Sequence, residues 1–175
     1  DKLEKILNIN PSDISIHNLS KANKSQALRL QHTLISTSTA EVLATKNHTP
    51  VGLVYSGALF RQLALNLISW NYQTIYSKAM IAHRNKQKDL LLELQKNLGV
   101  SLSQIVSRLM ADWNLSPDLR RIIAPDRNMN PARDLAQLND QPLRAQDICD
   151  ISELYAKSQD QVHFPEATEQ WAKMG

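Results

Sequence analysis

Gly57 to Trp70, reading GALFRQLALNLISW, is apolar almost all the way round yet carries Arg61 and Gln62 side by side at its middle. A helix apolar on every side is a buried helix, and a cation inside it needs partners. Gln62, Asn66 and Ser69 fall at i, i+4 and i+7, a polar stripe on an otherwise apolar cylinder. The stripe predicts a central helix that faces a polar crevice or another helix. The longer run from Val51 to Trp70 comes near the roughly 20 residues of a bilayer crossing. Arg61, Gln62 and Asn66 interrupt it, so a core helix is expected and no membrane partner.

The rest of the chain reads as helices too. Four glycines in 175 residues fall well below the usual share of about 7%. β-branched runs bounded by turn residues are absent, which disfavours a sheet with tight hairpins. The expected fold class is all-α, in a chain long enough to bury one core. Leu3, Ile6 and Leu7 read as the end of an earlier helix stopped at Asn10-Pro11, and Ser12 or Asp13 caps a short second one. Asn23-Lys24-Ser25 starts a long helix with apolar positions at Ala27, Leu30, Leu34, Ile35, Val42 and Leu43. Thr33, Ser36, Thr37, Ser38 and Thr39 load its middle with small hydroxyls, which weaken propensity but permit close helix contact.

Beyond Trp70 the expected buried set is Tyr72, Ile75, Tyr76, Ala79 and Met80. Asp89 is placed to cap Leu90 to Leu98, with Gly99 closing it in the left-handed conformation. Ser101 and Gln104 spell a capping box before Ile105, Val106, Leu109, Met110 and Trp113. Ser116-Pro117 signals another start, and further helices are expected from Pro131, Pro142 and Pro165. Ile148, Ile151 and Tyr155 mark a buried side, and Trp171 anchors the last helix. The domain organisation that follows is an upstream helical remnant over 1–22 and one helical domain over 23–175.

Net charge is +3, with Lys and Arg dispersed. Only His83-Arg84-Asn85-Lys86-Gln87-Lys88 makes a basic run; it holds no aromatic residue to stack a base and reads as a solvated connector. Cys149 is the single cysteine, expected as a small core residue of a cytoplasmic protein, with Asp147 and Asp150 raising its thiol pKa. His17, His48, His83 and His163 lack a partner at ligand spacing and read as surface residues. No G-x-S-x-G and no glycine-rich phosphate cradle occurs.

Taken in order, the apolar helix with its central polar pair, Tyr72, Tyr76, Leu98-Gly99, Trp113-Asn114-Leu115, Pro117 and ISELYAKS resemble the HDOD family, the HD-related output domains. The likeness is strongest from Val54 to Ile123. It implies an HD-like helical bundle and a place in bacterial signal transduction beside other signalling modules. It also implies a pocket in which metal-dependent relatives hold divalent ions with an upstream His, a His-Asp pair and later ligands, activating water for phosphoester hydrolysis. His32 stands 29 positions before Arg61 (61 − 32 = 29), resembling the spacing of the upstream ligand.

The resemblance departs at the ligands themselves. Arg61 and Gln62 occupy the dyad, and Leu102 occupies a position where relatives often carry His. Arginine has no lone pair to give and repels a dication, and a glutamine amide is a poor substitute for a carboxylate. The degenerate pocket is therefore His32, Arg61, Gln62 and Leu102, with no catalytic residue, metal or cofactor expected.

The leading functional expectation is a non-catalytic regulatory module acting on a protein partner or an attached signalling domain. The alternatives are a metal-dependent phosphohydrolase of nucleotides or cyclic dinucleotides that keeps His32, and a nucleic-acid-binding regulator using Lys78, Arg84, Lys86 and Lys88. Arg61 is also a candidate anion site for a nucleotide phosphate, against the simpler expectation that it pairs with an acidic residue or a helix C-terminal carbonyl.

Overall fold

The computed structural model describes residues 24–86, 88–123 and 143–174. The 1–22 remnant, the cap at Ser12 or Asp13, His17, the Lys86 side chain and the starts at Pro131 and Pro142 lie outside the described residues. Among those described, every regular element is a helix and none is a strand. In chain order they are α1 (Lys24–Lys46), α2 (Val51–Asn71), α3 (Gln73–Lys86), α4 (Leu90–Leu98), α5 (Leu102–Asp112), α6 (Pro117–Ile123), α7 (Ala145–Ser158) and α8 (Pro165–Ala172). The molecule is an all-α helical bundle that divides into two compact units. One holds the described residues up to Gln31 together with Leu63–Trp113. The other holds His32–Gln62 and the described residues from Asn114 on.

In the first unit α3 packs on α4, and α4 on α5. Tyr76, Ala79 and Met80 are buried from α3, Leu90, Leu94 and Leu98 from α4, and Ile105, Leu109 and Met110 from α5. Burying a leucine such as Leu94 stabilises by about 2 kcal/mol. Local chemistry sets the boundaries. Asp89 Oδ1 accepts the Leu92 N–H at 2.8 Å, and Gly99, at φ 76°, gives its N–H to Gln95 O. Ser101 Oγ accepts the Gln104 N–H while Gln104 Oε1 accepts that of Ser101, a closed capping box. Two expectations need correction. Trp113 follows the last turn of α5 and stands 49% exposed instead of continuing the buried face. His83 to Lys86 is no connector, because α3 continues through it.

In the second unit a core forms from Ala40 and Ala44 of α1, Val54 and Ala58 of α2, Ile122 of α6, and Ile148 and Cys149 of α7. α7 packs against both α8 and α6, and the Tyr155 and Trp171 rings meet at 4.9 Å. Pro165 opens α8 in its first turn, where a missing N–H costs nothing.

α1 corrects half of its apolar reading, for Leu30, Ile35 and Leu43 are partly buried but the other three are not. Ala27, Leu34 and Val42 are exposed, Leu34 at 59% and Val42 at 54%. The buried face is Gln26, Arg29, His32, Thr33, Ser36 and Thr37, continued by Ala40 and Ala44. Thr37 tolerates its place there by bonding within its own helix, Oγ1 donating to Thr33 O at 2.9 Å. Gln26 Nε2 reaches Ser69 O at 3.3 Å, so a polar residue of α1 meets the polar stripe of α2. That bond gives the buried Gln26 amide a partner inside the first unit, as a buried polar group requires.

Among the described residues α2 is the one helix long and apolar enough to cross a membrane, by length and composition only. Its central polar pair is turned inward, with Arg61 9% exposed and Gln62 2%.

Candidate functional site

Gly57 and Arg61 lie one turn apart on α2 and build a junction with α6 and α7 inside the second unit. Gly57 is required there. A Cβ at this position would collide with Ile122 Cγ2 of α6 and stand 3.5 Å from Cys149 Sγ of α7. The missing side chain lets the end of α6 press onto α2, and one turn later Arg61 meets the Ile122 carbonyl. Its Nε donates to Ile122 O at 2.6 Å, and its Nη1 donates to Asp150 Oδ1 of α7 in a close ion pair.

The end of a short helix leaves carbonyls unpaired, and a cation there is favoured by the helix dipole. Arg61 takes one such carbonyl, and Gln146 Nε2 takes the Arg121 carbonyl at 2.8 Å. The Arg61 side chain is 5% exposed and that of Asp150 is 23%. Arg61 Nη2 is buried and has no hydrogen-bond partner among the described residues.

Electrostatics at the junction are dominated by burial. Asp150 is held above the ordinary carboxylate range, first by desolvation, with the Arg61 charge and hydrogen bond opposing, and with Glu153 and Asp147 adding to the rise. Burial likewise pushes the Cys149 thiol up to about 11, against the pull of Arg61 and with Asp150 and Glu153 reinforcing it. The expected direction for Cys149 holds, but its cause is corrected: desolvation leads, and Glu153 stands in the place expected of Asp147. Asp147 lies elsewhere in the network. Burial would raise its pKa, yet two side-chain bonds and one backbone bond from Arg144, at 2.8 to 2.9 Å, lower it overall.

Of the four residues expected in the pocket, His32, Arg61 and Gln62 are each buried and fall in the second unit. His32 is 3% exposed, its ring tilted against Phe164 at 5.4 Å and its Nε2 3.6 Å from Asp160 Oδ2. Asp160 also accepts from His163 Nδ1 at 2.9 Å, so His163 is a part-buried, paired residue and not the surface histidine expected. His83 is corrected in the same way, its Nδ1 lying 2.6 Å from Lys88 O. Gln62 is buried in the unit that holds His32 and Arg61. Leu102 belongs to the other unit, half-buried at the start of α5.

A divalent pair would need convergent oxygen or nitrogen lone pairs. The guanidinium offers none, and two of its nitrogens are already engaged. The residues present do not fit a metal centre, and among the described residues no group of three or more His, Cys, Asp or Glu could hold an ion.

Asp150, which pairs with Arg61, and Asp160, which lies beside His32 and His163, are residues that the sequence did not point to. Asp150 lies 89 positions from Arg61, and no local spacing connects them. The only available signal was general, that an arginine inside an apolar helix needs an acidic partner. No family model matches this chain, and neither a curated protein nor a solved structure matches it.

Proposed function

We propose that this chain is a non-catalytic regulatory module of the HDOD type, acting through contacts with a protein partner or an attached signalling domain. The observation that supports this best is Arg61. A group that cannot donate electrons stands at the dyad position of the resemblance, engaged with Ile122 O and Asp150. Metal-assisted hydrolysis requires a bound water held by several lone-pair donors, and the donor chemistry of His32, Arg61, Gln62 and Leu102 does not supply them. What the junction does supply is a tie among three helices, the kind of element whose packing a partner could read.

The test is a hydrolysis assay on nucleotides, cyclic dinucleotides and a chromogenic phosphodiester with added Mn²⁺, run alongside metal analysis of the purified protein. No stoichiometric metal and no turnover are expected. Arg61→Ala and Gln62→Ala should alter stability or partner binding and remove no enzymatic rate. Stoichiometric metal with turnover lost in His32→Ala would establish the phosphohydrolase alternative instead.

A further inference from the structure

The Arg61 guanidinium is charged, nearly buried and incompletely matched. It has one pair of parallel N–H groups on its Nη edge able to grip two oxygens of one anion. Asp150 uses a single oxygen on Nη1, while Nη2 remains buried and unpartnered among the described residues. A buried cationic donor left unsatisfied is costly, so the edge is set up for a better acceptor than it now has. The two partners also differ in depth. Arg61 is enclosed, whereas the Asp150 side chain, at 23% exposure, reaches the surface and can turn outward into water.

We propose that Arg61 is a proton-gated receptor for a small oxyanion, a phosphate-type or carboxylate group, with Asp150 as the internal stand-in that the ligand displaces. Binding exchanges one counter-ion for another. The anion takes Nη1 and Nη2 together, Nε stays on Ile122 O, and Asp150 takes up one proton from solvent as it loses its cation. With a monoanion such as a carboxylate the charge at the guanidinium stays balanced, and with a dianion one negative charge is left over for the remaining N–H groups to solvate.

The neighbouring groups favour this exchange. On α7, Asp147 and Glu153 flank Asp150 and disfavour its ionised form, while the Cys149 thiol beside it stays neutral to about 11. Those two carboxylates do not repel the ligand at full strength, because Asp147 is paired with Arg144 and Glu153 with Lys157, each at 2.8 Å. From α2 the facing charge is Arg61, and from α6 the facing group is the Ile122 carbonyl that keeps Arg61 in place.

Sulfate is the probe, because its charge is constant near neutrality and any pH dependence then belongs to the protein. In calorimetric titrations, wild-type affinity for sulfate should rise as pH falls from about 7.5 to about 5, by up to about tenfold per pH unit, with about one proton taken up per sulfate. Asp150→Asn imitates the protonated carboxyl. It should bind sulfate at both pH values without proton uptake. Arg61→Gln should not bind. If Arg61→Gln proves unfolded by circular dichroism, the loss of proton coupling in Asp150→Asn decides alone. Acetate saturating with the same dependence would support the site and extend it to carboxylates. Absence of binding in Asp150→Asn, binding that survives in folded Arg61→Gln, or wild-type binding without proton uptake would each overturn the proposal.

Discussion

The α4–α5 pair and the Arg61 junction are held by different physics. In α4 and α5 the buried residues are leucines, isoleucine and methionine at helical spacing, and the ends are closed by Asp89, Gly99 and the Ser101–Gln104 box. Each stabilising element there lies within a few residues of what it stabilises. At the junction a glycine, an arginine, a carbonyl and a carboxylate from three helices meet across 61 and 89 positions of sequence. An apolar stripe tolerates substitution by similar size, because its energy is spread over area. A buried charge does not, because its energy depends on one partner's presence.

Truncation should separate the two most clearly. Arg61→Ala leaves Asp150 and the Ile122 carbonyl without their donor, and a loss of about 3 kcal/mol is expected in urea unfolding. Leu94→Ala also costs about 3 kcal/mol by leaving a cavity. The comparison sharpens with near-isosteric variants: Leu94→Met should recover most of that loss. Arg61→Lys should recover little, since a lysine has no fork to engage both acceptors.

Glycine gives the next test. Gly57→Ala should destabilise by about 1 to 3 kcal/mol, because its Cβ meets Ile122, even though alanine is the better helix former. Gly52→Ala, in the same helix with nothing within 4 Å, should stabilise by about 0.5 kcal/mol. Equal effects at the two positions would mean that α6 does not press on α2 at Gly57.

Cys149 offers a smaller effect, and its sign follows from its raised pKa. The unfolded thiol ionises near 9.0 and the folded one near about 11. Its contribution is therefore complete below pH 9.0 and is drawn down as pH rises toward about 11. Between about pH 9 and about pH 10 the wild type should lose about 1 kcal/mol more than Cys149→Ala.

These contrasts also explain what could be read from the sequence alone. All-α class, the starts of α1 and α2, both caps of α4, the α5 capping box, Pro117 and Pro165 were legible, because their causes are local. α1 was not. Leu34 and Val42 looked like core by residue type, whereas Gln26 is held inside by the Ser69 carbonyl and Thr37 bonds its own helix. At the site, Arg61 was legible as a buried cation needing a carboxylate or a helix-end carbonyl, and it has both. Which carboxylate it would be was illegible, since Asp150 becomes its neighbour only once α7 has packed. His163 was misread for a different reason, since its partner Asp160 is only three residues away and the turn after α7 brings the two together.

A double-mutant cycle between Arg61 and Asp150 measures the tie itself. Arg61→Met, Asp150→Asn and the double variant, unfolded in urea near neutral pH, should show a favourable coupling of about 1 to 3 kcal/mol. Additivity within about 0.5 kcal/mol would contradict the account, leaving Arg61 free of the structural bond that removes it from metal chemistry.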